Sequence, residues 1–452
     1  MTPQERRSSV SLALIFALRM LGLFMVLPVF ALEARKYPGG DDPALVGLAM
    51  GIYGLTQAVL QLPLGMASDR FGRKRVIYFG LLLFVIGSFV AASAHDIYWV
   101  IIGRSIQGAG AVSAAVTALV ADLTREEHRT KAMAMIGGTI GLTFAFSLIA
   151  GPALYQWIGI PGIFTLTGVL ALLAIGVVKF VVPDPIISRF HSDAEAAPDK
   201  LREVLRDTQL LRLNFGIFAL HAAQMAMFVV VPFALVQTSR LDANHHWQVY
   251  LPIMLLSFAC MVPAIIYGEK RGKLKSVFVS AIALMLGAQL LFAVSIHHFW
   301  GIVASLTTYF IAFNVLEASL PSLISKVAPV AAKGTAMGVY NTAQSFGVFI
   351  GGALGGWLSH TLGFAAVFIF CSALMGLWLV IAVTMQAPLA IKSRMFHLDE
   401  LSPRAGRELA GRLSRLDGVR EAVVLADEGV ALLKVEVGGW DEAAALKLMG
   451  VS

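Results

Sequence analysis

The chain has 452 residues, with 35 Lys and Arg against 28 Asp and Glu and a formal net charge of +7. Only 14% of it is charged and 58% is hydrophobic, where an ordinary soluble domain is about 25% charged; mean hydropathy is +0.77. This balance excludes a soluble enzyme, a disordered chain and a disulfide scaffold. It also argues against a nucleic-acid partner as the reason for the isoelectric point of 9.4, because so few charges leave little solvated basic face.

Asp, Glu, Lys and Arg are absent from 43–68, 76–94, 105–121, 132–178, 213–239, 243–268, 276–316 and 334–391. A helix crossing a hydrocarbon core of about 30 Å needs about 20 apolar residues. Three gaps are long enough for two helices. Each holds a polar or turn-forming break: Gly159-Ile160-Pro161-Gly162, His297-His298, and Ser359-His360-Thr361-Leu362-Gly363. With the segment 10–32, the expected spans are 10–32, 44–67, 76–94, 97–121, 132–157, 162–182, 212–237, 246–268, 276–295, 299–324, 334–358 and 362–386. The first carries Arg19 and lacks a small-residue cleavage site, unlike a signal peptide.

Alternate connections are basic. One set holds Arg6 and Arg7, Arg70 to Arg75, Arg125 to Lys131, Arg189 to Arg212, Lys270 to Lys275, and Lys326 with Lys333; the other holds only Arg35, Lys36 and Arg240. Basic loops stay cytoplasmic, so both termini are expected there. Cys260 and Cys371 fall inside spans and are expected to be buried, apolar and unbridged.

The polar connection 183–211 divides the spans six and six, and its second part, from Lys200, has an amphipathic helical pattern. PLGMASDRFGRKR at 63–75 is echoed by PAIIYGEKRGKLK at 263–275. Both stretches join the second and third spans of their half, the mark of an internal repeat around a central pocket. The expected domains are a six-helix half at 1–182, a linker at 183–211, a second half at 212–391 and a soluble unit at 392–452. That last unit reads strand, helix, strand, strand, helix. Ser402-Pro403 opens its first helix, and Asp427-Glu428-Gly429 joins two strands. This is a small ferredoxin-like α+β pattern. Its first loop, Asp399-Glu400-Leu401-Ser402-Pro403, has no thiol for a metal.

Gly65, Asp69, Arg70, Gly72 and Arg73 occur at a spacing that charge alone does not require. The stretch resembles the loop between spans two and three of the major facilitator superfamily. Arg104-Ser105-Ile106-Gln107-Gly108-Ala109-Gly110 resembles that family's fourth-span motif. Leu21-Gly22 with Pro28-Val29 resembles the first span of its twelve-span drug–proton antiporter branch, although Ala31 stands where a second proline is usual. Gly151-Pro152 keeps only part of the fifth-span motif, with Ser147 before it and Ala153-Leu154 after. Gly334 to Tyr340 (GTAMGVY) and the soluble unit resemble a bacterial member with a C-terminal domain. The resemblance implies an all-α bundle of twelve transmembrane helices in two pseudo-symmetric halves, moving a solute by alternating access. It also implies a cytoplasmic latch that steadies an outward-open state, in which Arg73 pairs with Asp122 at the end of span four.

An ionisable group inside a span is costly and marks function by default. At about 1.5 Å per residue, Arg19, His221 and Glu317 approach the bilayer middle from spans one, seven and ten. By resemblance these spans line the cavity together with span four, which carries Arg104. Gln224 and Met225 share the His221 side of span seven, and Asn314 lies one turn from Glu317. Gln57 forms a polar stripe with Gln61. Glu317 and His221 are the candidates to carry a proton. Three alternatives stand beside that: a static hydrogen-bond network for the glutamines, a fixed counter-charge role for the arginines, and a closed pair of either proton candidate with Arg19. No metal cluster, cofactor motif or nucleophile–base set appears. What the resemblance implies, and the expected function, is monomeric, proton-coupled efflux of a small apolar or cationic solute across a bacterial inner membrane. The competing reading is a non-transporting sensor whose C-terminal unit transmits a signal.

Overall fold

The computed structural model describes residues 2–124, 126–184, 198–239, 241–329, 332–386, 391–398, 402–426, 429–436 and 439–450. Arg125, Arg189, Arg240, most of the loop before the soluble unit's first helix and the Asp427-Glu428 turn lie outside the described residues, as do the side chains of Arg129 and Glu269. Ten described helical stretches are long and apolar enough to cross a membrane. One of them, 131–180, turns at Gly159, whose φ of 61° interrupts the helix and divides it into two spans. A further helix, Lys333–Leu362, is thirty residues long and glycine-rich. Twelve spans result.

The first half comprises α1 (Pro3–Glu33), α2 (Pro43–Phe71), α3 (Arg73–Ala92), α4 (Ile97–Ala109), α5 (Ser113–Leu123) and α6 (Glu126–Phe180). A short α7 (Pro198–Val204) precedes α8 (Thr208–Ser239), α9 (Trp247–Lys270), α10 (Leu274–Ser295), α11 (Phe299–Val327), α12 (Lys333–Leu362) and α13 (Phe364–Val383). Helix starts follow local chemistry. Thr2 accepts from the Glu5 N–H while the Glu5 carboxylate accepts from the Thr2 N–H, at 3.2 and 2.6 Å. Asp42 accepts from the Ala44 N–H ahead of α2, so orphan donors are satisfied at these two entries.

Three expectations are corrected. The fourth span is two helices, α4 and α5, broken at Gly110, where a Cβ would lie 2.3 Å from the Gly80 carbonyl. The amphipathic helix of the linker is only α7, and the seventh span starts at Thr208 rather than 212, because Asp207 caps it through the Gln209 and Leu210 N–H groups. Cys260 is exposed on α9, whereas Cys371 is buried; both thiols are free. In a helix bundle whose outer face meets lipid, an apolar position need not point inward.

The two halves meet through α12. One of its faces packs on α8, where a Cβ on Gly351 would lie 2.1 Å from the Ala222 carbonyl. The other packs on α2, where a Cβ on Gly352 would lie 2.6 Å from the Gly47 carbonyl. These contacts lie toward the face opposite the basic connections. Phe144 of α6 adds an aromatic seal, with its ring centroid 5.1 Å from Phe24, 6.5 Å from Phe228 and 5.9 Å from Phe313. The halves are therefore closed together on that face.

The soluble unit contains β1 (Ile391–His397), α14 (Pro403–Leu413), β2 (Val419–Leu425), β3 (Val430–Glu436) and α15 (Glu442–Met449). Its antiparallel sheet has the order β1-β3-β2, with Leu413, Ala431, Leu433, Val435 and Ala445 in its core. Lys434 is buried. It pairs with Glu421 at 3.1 Å and donates to the Ala328 carbonyl at 2.5 Å, so the unit caps the end of α11 on the basic face.

Gly351→Val is expected to force α8 and α12 apart and to lower stability by about 1–3 kcal/mol, as overpacking does. Thermal unfolding of the purified protein checks this. Gly376→Ala, which adds a methyl where no atom lies within 4 Å, is expected to leave the transition in place.

Candidate functional site

Two groups of polar residues stand out, one at the basic face and one inside the bundle. At the face, α2 ends at Gly72, whose φ of +96° is open to glycine without strain, and α3 begins at once with Arg73. This turn folds the Arg73 guanidinium back beneath α2. It contacts Asp69, accepts nothing, and donates to Ser68 Oγ at 2.9 Å and, through Nε, to Asp122 at 3.2 Å. Arg73 and Asp122 are both buried, their side chains 2% and 0% exposed. Gly65 sits where a Cβ would touch Ala114 of α5. Arg70 takes no part: it is exposed and leans over the Phe71 ring at 5.6 Å. The corresponding turn of the second half also uses a left-handed glycine, Gly272 at φ 63°. The internal repeat thus extends to backbone geometry. The latch bonds lie within one half, and they are formed here while the opposite face is closed. They do not require the outward-open arrangement that the resemblance implies.

A crevice beside this latch is lined by Gln61, Gly65, Asp69 and Arg73 on one side and Gly334, Met337 and Asn341 on the other. It separates the basic ends of α2 and α12.

Inside the first half, Arg19 is 1% exposed. It donates to Tyr53 Oη at 2.7 Å and Ser113 Oγ at 3.2 Å, and its guanidinium lies 5.4 Å from the Phe84 ring. Arg104 donates to Gln107 Oε1 at 3.1 Å and the Met50 carbonyl at 3.4 Å, above the Tyr53 ring at 5.1 Å. Gln107 donates in turn to Ser88 at 2.8 Å. Neutral dipoles and aromatic faces surround both cations, which is how a guanidinium is held away from water. A closed pair of Glu317 or His221 with Arg19 is therefore absent among the described residues. Gln57 donates to Gln61 at 3.4 Å, one turn apart on α2.

Inside the second half, His221 of α8 and Glu317 of α11 approach to 3.9 Å, Nε2 to Oε2. The acid lies deep among protein atoms, yet 38% of its side-chain surface is open, so it faces an internal space rather than bulk water. Its Oε2 is buried and has no hydrogen-bond partner among the described residues. Tyr309, Phe313 and Glu317 follow one another along one side of α11, and the Phe313 ring lies 6.0 Å from that of His221. Asn314 points elsewhere, donating to Ser257 of α9 at 2.8 Å. Gln224 and Met225 are buried at 7% and 4% exposure. Sequence reasoning missed Gln344 of α12, whose amide nitrogen is 2.7 Å from His221 Nε2. It also missed Tyr53 and the aromatic seal. The usable signal was the polar run Tyr340-Asn341-Thr342 leading to Gln344 within a charge-free span.

The major facilitator superfamily model matches residues 12–351 and 254–395. The chain belongs to the major facilitator superfamily. It is a multi-pass membrane transporter of that family. It is 42% identical over 436 residues to the inner membrane transport protein YajR of Escherichia coli (strain K12), covering 96% of this chain and 95% of that one. It is 28% identical to the multidrug resistance protein MdtH of Proteus mirabilis (strain HI4320), over 75% of this chain and 84% of that one. Among solved structures, a bacterial homologue of the human lysosomal transporter Spinster, in an inward-facing and occupied conformation, superposes with a TM-score of 0.68 at 13% identity, over 86% of this chain and 98% of that one. That likeness is one of fold.

Arg73→Met is expected to destabilise the protein by about 3–5 kcal/mol, the cost of removing one partner from a buried ion pair. Combined with Asp122→Asn, the loss should fall short of the sum by about 0.5–3 kcal/mol, as for residues in one network. Thermal unfolding of the two single variants and the double variant measures that coupling.

Proposed function

We propose that the chain is a proton-coupled exporter, moving a small apolar or cationic solute out of the cytoplasm by alternating access. Protons move the other way through Glu317 and His221. One observation carries the reading. In a bundle that solvates its arginines with fixed dipoles, Glu317 is a carboxylic acid whose buried Oε2 has no hydrogen-bond partner among the described residues and lies 3.9 Å from an imidazole. An arginine cannot release its proton in a protein, whereas a carboxyl and an imidazole can. The mobile charge of a cycle therefore belongs to this pair. The distribution of Lys and Arg supports the basic face as the cytoplasmic one, with both termini on it, and the name of the YajR relative supports the bacterial inner membrane. The name of the MdtH relative supports efflux as the direction.

The arrangement permits a simple cycle. With the far face closed by α12 on α2 and by the Phe144 seal, solute enters from the basic face toward the space that Glu317 faces. Opening of the far face exposes the pair to the more acidic side. Protonation of Glu317 there removes its charge, and the neutral pair returns. A solute that is cationic competes with the proton for the same carboxylate, and an apolar one competes through the hydration of the ionised acid. Either competition couples the two fluxes.

Everted vesicles with an imposed proton gradient test this reading. Addition of a transported solute from a chemically broad panel is expected to release protons from the vesicle interior. Glu317→Gln, which keeps shape but cannot ionise, should reduce that flux at least tenfold, since the coupling step is then missing. An unchanged flux in this variant would sink the mechanism. Removal of 392–452 should leave measurable flux, because the docked unit meets the bundle at the end of α11, outside the proton pair; complete loss with a folded bundle would favour the sensor reading.

A further inference from the structure

Gln344 is nearer to His221 than Glu317 is. Its Nε2 lies 2.7 Å from His221 Nε2, against 3.9 Å for the carboxylate. The other ring nitrogen, Nδ1, lies 3.2 Å from the Ile217 carbonyl. A carbonyl only accepts, so Nδ1 carries a proton. In the neutral ring Nε2 is then a bare lone pair, and it accepts from the Gln344 amide. A second proton on Nε2 converts that acceptor into a donor. The Gln344 N–H then faces an N–H, and the amide has to turn end for end and offer Oε1. A primary amide is suited to this place because it meets both protonation states with one reach.

We propose that Gln344 is the positioning residue of the proton site. It holds the Nε2 lone pair of His221 ready while the ring is neutral, and reversal of its amide upon protonation passes the event to α12. This rests on the reading of Glu317 and His221 as the proton pair. In the transfer step the Glu317 carboxyl closes from 3.9 Å to about 2.8 Å, an ordinary hydrogen-bond length. The proton leaves Oε2 for Nε2, so that a carboxylate and an imidazolium replace two neutral groups and the net charge is conserved. The Gln344 N–H loses its acceptor in that step whichever oxygen receives the new N–H.

The surroundings make this contact decisive. The other titratable groups near the pair are the hydroxyls of Tyr309 on α11 and Tyr340 on α12, both buried and without a hydrogen-bond partner among the described residues, and the thiol of Cys371 on α13, buried in the same core as Tyr309. The interior guanidiniums turn elsewhere, Arg19 of α1 to Tyr53 and Ser113 and Arg104 of α4 to Gln107. Arg35, just beyond α1, stacks instead on Phe233, farther along α8. The amide is thus the polar group that distinguishes the two ring states. Its helix is also the one that closes the far face. Gly347, one turn on, abuts the Phe218 carbonyl, and Gly352 and Gly356 abut α2. A change at Gln344 is therefore applied to the helix that joins the halves.

The test reads α12 directly and needs no solute. Spin labels are placed at Asp41→Cys and Thr361→Cys, both exposed, on either side of the far-face closure, where His360 lies 3.7 Å from Asp42. The background is the full chain with Cys260→Ser and Cys371→Ala, in lipid nanodiscs. Label-to-label distances are followed by pulsed electron resonance from about pH 5 to about pH 9, the range in which buried carboxyls and imidazoles titrate. The parent is expected to shift between a short and a long distance with a defined midpoint. Gln344→Glu supplies a carboxylate to the imidazolium and should move the midpoint alkaline by about one pH unit, a tenfold change in proton concentration. Gln344→Met removes an acceptor that matters more to the charged ring than to the neutral one, and should move it acid by about half a unit or more. Opposite displacements are what a merely structural residue would not produce. Displacements of the same sign, an unmoved midpoint in both variants, or a parent without pH response would overturn the proposal. Glu317→Gln separates the two levels. If it removes the response while both Gln344 variants keep the parent midpoint, the role of Gln344 alone is wrong. If it leaves the response intact, the proton-pair reading fails with it.

Discussion

Hydrocarbon offers no hydrogen bonds, and every other feature of this protein follows from that. Backbone polar groups must be satisfied within each span, so the chain crosses as helices. Charges survive in the interior only where protein replaces water. The structure uses three solutions. Arg73 is held by Asp69 and Asp122 at the boundary. Arg19 and Arg104 are held by hydroxyls, an amide, a carbonyl and aromatic faces. Glu317 has an imidazole at 3.9 Å and a buried oxygen without a hydrogen-bond partner among the described residues. The difference is chemical. A guanidinium stays charged and needs a permanent cradle, whereas a carboxyl can be neutralised by a proton and needs none.

The same solvent removes the hydrophobic force between helices, so packing has to come from close backbone approach. That explains why the helix joining the halves is rich in glycine rather than in large apolar residues. The glycines of α12 lower its hydropathy, but they bring its backbone against α2 on one side and α8 on the other. A leucine-rich helix would cross a membrane more readily and could not make either contact. Aromatic side chains fill what the glycines leave, and Phe144 reaches from the first half into the second. Closure is thus a property of surfaces from both halves, while the latch around Arg73 belongs to one half alone. The two can change independently, which fits a latch formed in a structure closed on the opposite face.

Much of this was legible in the chain. Charge-free runs located the spans, and Gly159, His297-His298 and Gly363 located the turns, because a missing charge and a helix-breaking residue act locally. The soluble unit's order of elements was legible for the same reason. The break at Gly110 was not, since it follows from the crossing of α4 with Gly80 of α3, nor was the exposure of Cys260, since inward and lipid-facing positions are equally apolar. The pairing of Arg73 with Asp122 came from resemblance in motif, while the cradles of Arg19 and Arg104 are built from Tyr53, Ser113 and Met50, residues with no local mark.

By itself the sequence determined the class of the protein. The density and spacing of its charges require a twelve-span bundle with one basic face, since the cost of a charge in hydrocarbon depends on composition and length alone. Only the tertiary structure decided which interior charges are neighbours. Arg19, His221 and Glu317 have similar depths along their helices, but depth says nothing of rotation about the helix axis or of which helix lies alongside. Packing of α8 against α11 and α12 brought His221 to Glu317 and Gln344, and packing of α1 against α2 and α5 turned Arg19 to Tyr53 and Ser113. Directional contacts over a few ångströms require all three dimensions, and those are fixed by neighbours far away in the chain.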